Sequence, residues 1–104
     1  MDQLEQLIQE EKAKIVAETA MIHWKELEKF YAQGLLILVS DTLDLVEVAY
    51  AISQDEADQV TQWMDSGLLL RDFNQQAIEW EKENCEVWSV VIRPWVLVQE
   101  IKLK

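Results

Sequence analysis

Acid–base chemistry near neutral pH calls for a side chain type that changes charge there, and the chain has a single histidine, His23. Glu26 follows it at helical i+3 spacing, an arrangement open to a carboxylate-oriented base or to half of a metal pair. Two ligands do not complete a metal site, so His23 is expected to be a helix-start or surface group. Nucleophilic chemistry would fall to Cys85, the one cysteine, or to a serine held beside His23 and an orienting acid. With glycine only at Gly34 and Gly67, no Gly-x-Ser-x-Gly elbow, phosphate-cradling loop or calcium-loop spacing exists. The chain is therefore expected to be non-enzymatic, with no catalytic, metal-binding or cofactor-binding residue and no cofactor. Cys85 is read as a small, partly buried hydrophobe.

Binding is the remaining chemistry, and charge is its first signal. Twenty acidic and nine basic residues give a formal charge of -11 over 104 residues. The excess peaks in the middle, where residues 34–72 hold eight acids and one base. Such a field repels nucleic-acid phosphates and acidic lipid headgroups and favours either a protein partner with a basic surface or nothing beyond solubility. Five tryptophans are the second signal, since Trp combines large rigid area with a polar edge at interfaces. Trp24 shares an apolar helix face with Leu27 and Phe30 and reads as core. Trp63, Asp55, Glu56, Asp58, Trp88 and Trp95 are the candidate partner-contact residues, with core packing the competing role for each tryptophan.

The elements that position these residues follow from periodicity. Leu4, Leu7, Ile8, Ile15 and Val16 recur at helical spacing, and a second helical stretch covers about 23–33, closed by Gly34. One helix or two are both allowed over 4–33. Leu35 to Val39 is an apolar run suited to a strand buried on both faces. Asp41 or Thr42 can cap a helix whose inner face is Leu45, Val48, Ala49 and Ile52. Ser53 with Glu56 reads as a capping box for a helix directing Ala57, Val60 and Met64 inward and ending at Gly67. Leu68 to Arg71 suits a second strand, and Asp72 with Gln75 a further capping box for a short helix to about Asn84. Residues 87–101 are rich in β-branched and aromatic types, broken at Arg93-Pro94, and form one bent strand or a hairpin.

This order predicts a single α+β domain over 1–104: N-terminal helices over 1–33, then a winged-helix-like unit over 34–104 with a small, mainly antiparallel sheet. A helix-turn-helix layout suggests DNA, but seven acids and no Lys or Arg lie between Asp41 and Leu70. A recognition helix opening Asp55-Glu56-Ala57-Asp58 would meet phosphates with like charge. The alternative is a transcription-associated protein touching DNA through Arg93, Lys102 and Lys104 or through a partner. A third, weaker reading is a small-ligand or metal site around His23, Glu26 and Cys85. The apolar stripe of the first helix suits packing on its own domain or a homodimer. The lone cysteine, the absence of a basic then apolar N-terminal segment, and the short apolar runs lead to the expectation of a cytoplasmic protein away from membranes.

Several strings carry a resemblance: Ala17-Glu18-Thr19-Ala20, Trp24-Lys25-Glu26-Leu27, Asp44-Leu45-Val46-Glu47-Val48-Ala49, Val60 to Leu69 with Trp63 and Gly67, and Pro94-Trp95-Val96-Leu97-Val98-Gln99-Glu100. Over about residues 12–100 the chain resembles family 2288 of the domains of unknown function, a small bacterial family common in cyanobacteria and proteobacteria. The resemblance implies a bacterial, cytosolic protein and transfers no activity, cofactor or functional residue.

Overall fold

Leu36, Ile37 and Val39 are buried in a short strand, as the apolar run from Leu35 predicts, because helices cover both faces of the sheet to which it belongs. The computed structural model describes residues 2–101. Its elements are α1 (Gln3–Glu18), β1 (Ala20–His23), α2 (Trp24–Ala32), β2 (Leu36–Val39), α3 (Leu45–Ser53), α4 (Ala57–Asp65), β3 (Leu69–Leu70), α5 (Asn74–Glu83), β4 (Glu86–Ile92) and β5 (Trp95–Glu100). The N-terminal region thus holds two helices with a strand between them. Residues 86–100 form a hairpin turning at the cis Arg93–Pro94 bond.

The strands are ordered β1-β4-β5-β2-β3. β5 pairs antiparallel with β4, Leu97 opposite Val90, and parallel with β2, where Leu97 is opposite Ile37. The sheet is therefore mixed, which corrects the expected mainly antiparallel one: the β4–β5 hairpin inserts between β1 and β2 and brings its second strand alongside β2 in the same direction. The helix pair of the expected winged-helix unit is present as α3 and α4, but the sheet beside it carries helices on both of its faces.

Alternation along β5 divides the core. Val96 and Val98 face α2 and α5, joining Trp24, Leu27, Phe73, Ala77 and Trp80. Leu97 faces the other way, toward Ile15 of α1 and Leu45, Val48 and Ala49 of α3. α4 adds half-buried Val60, Trp63 and Met64 to this second layer and has no fully buried residue. α1 docks on its own domain through Ile15 and a 2.7 Å Lys12–Glu47 ion pair, while Leu4 and Leu7 stay exposed.

Helix ends differ from the expected boxes. α3 is capped by Asp44, whose carboxylate accepts from the amides of Val46 and Glu47, whereas Thr42 bonds Ser40. Ser53 donates to the Tyr50 carbonyl and α4 starts after Glu56, which makes no side-chain cap. α5 starts after Phe73, whose amide donates to the Tyr31 hydroxyl, so a distant side chain replaces the Asp72–Gln75 box. Four helices share one C-terminal device, a left-handed residue allowing two backbone bonds to the last turn. These residues are Gly34, Asp55, Gly67 and Asn84, with φ of 75°, 57°, 76° and 51°.

Gln99 fixes the loop between β2 and α3: its amide nitrogen donates to the carbonyls of Ser40 at 2.9 Å and Leu43 at 2.8 Å. Gln99→Leu leaves both carbonyls without that donor, and we expect a loss of about 2 kcal/mol in urea unfolding. A loss near zero would show that the loop holds itself.

Candidate functional site

The α3–α4 corner and the sheet end opposite it enclose an open pocket of about 400 Å³. Its apolar surface comes from Ile37 of β2, Ile52 of α3, Val60 and Met64 of α4, and Trp95 at the start of β5. Asp55 and Glu56 line it from the helix corner, and Arg71 and Arg93 from the end of β3 and the hairpin turn. Asp58 joins Asp55 and Glu56 in an adjoining polar depression on α4. The corner exists because the Asp55 backbone turns left-handed there, which ends α3 and starts α4 almost at once.

Three of the six candidate contact residues, Asp55, Glu56 and Trp95, share this pocket, and Asp58 borders it. Trp63 is half-buried against the α3 side of the core. Trp88 lies elsewhere, in a shallow depression with Val16, Asp44 and Gln99. The six thus do not form one surface. Sequence reasoning missed Arg71 and did not link it with Arg93; the available signal was that these are the only two arginines in the chain.

The electrostatics of the pocket are unusual for so acidic a chain. Among the described residues, ion pairs join Lys12 to Glu47 and Lys14 to Glu11, His23 lies 4.0 Å from Glu86, and none of these contacts involves either arginine or the acids of the corner. Arg71 instead donates to the Gly34 carbonyl at 3.0 Å and stacks 4.6 Å from the Trp95 ring centre. Lys102 and Lys104, paired with Arg93 in the DNA reading, lie outside the described residues.

The remaining reactive residues are dispersed. His23 approaches Glu86, its cross-strand neighbour, at 4.0 Å, and the Cys85 thiol donates to Glu83 at 3.6 Å. Among the described residues no three His, Cys, Asp or Glu side chains form a metal-holding group, so His23, Glu26 and Cys85 do not make one. Burial pushes the Cys85 thiol up, with Glu83 and Glu100 adding to the effect. Less thiolate is then present at a given pH, so alkylation by iodoacetamide should run slower than that of free cysteine in mildly alkaline buffer. An equal or faster rate would contradict this.

Fold and pocket together define a small layered α+β domain, with helices on both faces of a mixed sheet and, at the α3–α4 corner, a pocket carrying charges of both signs. The chain belongs to the DUF2288 family, described as proteins of unknown function, whose family model matches residues 10–100. It is similar to the NMR solution structure of PA1075 from Pseudomonas aeruginosa, with 40% identity, coverage of 88% of this chain and 84% of that one, and a TM-score of 0.78. No curated protein sequence matches significantly. Among the described residues, no helix is long and apolar enough to cross a membrane.

Proposed function

We propose that this domain is a non-enzymatic, cytoplasmic protein-binding module whose contact surface is the α3–α4 corner and whose partner presents a basic surface. The carrying observation is that Asp55, Glu56 and Asp58 stand together, exposed and outside any ion pair among the described residues, at the edge of an apolar pocket containing Trp95. Charges at a rim set encounter rate and specificity, and apolar area beneath them supplies affinity. The winged-helix, transcription-associated alternative has the α3–α4 pair in its favour. The acidic charge of that pair opposes direct duplex contact, and action through a basic partner returns to the first reading.

Affinity purification of the tagged protein at low and moderate salt, with and without nuclease, tests this reading. The expected partner is lost at higher salt, is indifferent to nuclease, and is not captured by a Glu56→Lys, Asp58→Lys variant. Material released only by nuclease would overturn the reading.

Asp55 gives a second test. Glycine occupies the equivalent helix-end position in α2 and α4, whereas Asp55 adopts the same left-handed backbone at φ 57° with a side chain attached. Asp55→Gly should stabilise the fold by about 0.5–1 kcal/mol by removing that strain while weakening partner capture. Stabilisation with capture unchanged would remove Asp55 from the contact surface.

A further inference from the structure

Two exposed arginines, Arg71 and Arg93, line one pocket. The chain has twenty acids, yet both of its arginines stand here with no carboxylate of the described residues within 4.0 Å. Each guanidinium carries five N–H donors in a planar fork that matches a carboxylate. Arg71 uses one nitrogen on the Gly34 carbonyl. Arg93 makes no hydrogen bond among the described residues, so donor capacity remains on both. The same pocket has Asp55 and Glu56 on its helix side and the Trp95 ring in its lining. Cations on the strand side, anions on the helix side and apolar surface in the lining describe a ligand with a carboxylate, an aliphatic stem and an ammonium group.

One peptide residue supplies all three: a lysine at a chain end. We infer that the pocket receives the C-terminal lysine of the basic partner, its terminal carboxylate on Arg71 and Arg93, its stem against Trp95 and its ammonium beside Asp55 and Glu56. This deepens, and rests on, the reading of the corner as a protein-contact surface. An internal basic segment would leave the arginines unanswered and repelled, and a phosphate group would meet the two carboxylates.

Fluorescence polarisation with a short, lysine-rich, N-terminally labelled peptide ending in lysine tests the inference, using free-acid and C-terminally amidated forms. The free acid should bind about tenfold more tightly, the scale of a charge-assisted hydrogen-bond pair. Arg93→Gln should abolish that preference, bringing the free acid and the amide to equal affinity, with thermal stability unchanged; Arg71→Gln should do the same to the preference but also disturb the Gly34 contact. If both forms bind equally in a salt-sensitive way, the terminal-carboxylate inference fails and the acidic contact surface survives. If neither binds and no salt-sensitive partner is captured, both fall. Free lysine competing as well as the peptide would overturn the peptide assignment in favour of a small zwitterion.

Discussion

Trp80→Ala is expected to lower the unfolding free energy by about 3–5 kcal/mol, out of a total of roughly 5–15 kcal/mol for a domain of this kind. Trp80 is 2% exposed and lies 5.3 Å from Trp24 and 6.0 Å from Phe73, ring centre to ring centre. These rings fill the space between α2, α5 and the sheet, and Tyr31 closes it with a ring 4.6 Å from Phe73. Removing the indole leaves a cavity that three other fixed rings cannot collapse to fill. Urea unfolding followed by circular dichroism reads the loss directly. Trp80→Phe should recover part of it, and a loss below about 1 kcal/mol for Trp80→Ala would show that this layer is loosely packed.

Leu97→Ala acts on the opposite face, with an expected loss of about 2–5 kcal/mol. Leu97 is fully buried in the central strand between Val90 and Ile37, beneath α3. Its neighbours on both sides are held by ladder hydrogen bonds, so the backbone cannot close over the missing atoms. The slope of the urea transition should stay unchanged, because the folded surface does not alter. A changed slope would mean that the sheet itself comes apart.

The parts of this fold legible in the sequence are those written in local pattern. The inner face of α3 at Leu45, Val48 and Ala49 is a 3.6-residue repeat, and all three are buried. Gly34 and Gly67 mark helix ends because the left-handed backbone favours glycine, and both are used so. Asp55 and Asn84 do the same work without glycine and gave no comparable signal. β1 was illegible because Ala20-Met21-Ile22-His23 is a short edge segment with little burial, made a strand by pairing with β4. The parallel β2–β5 pairing was illegible because no local pattern encodes a partner strand's direction. The acidic corner could be read from charge alone. The pocket could not, since Arg71, Arg93 and Trp95 meet Asp55 and Glu56 only after the hairpin inserts into the sheet.

The central position of β5 also dictates when the molecule becomes whole. Its partner β2 is complete by Val39, and Gln99 reaches back across 59 residues to Ser40. A chain emerging from the ribosome can form α2, α3 and α4 early, from contacts close in sequence. Until Trp95–Glu100 emerges, neither layer of the core has its middle strand and the pocket has no Trp95. Completion of both core layers and of the pocket therefore awaits the emergence of β5.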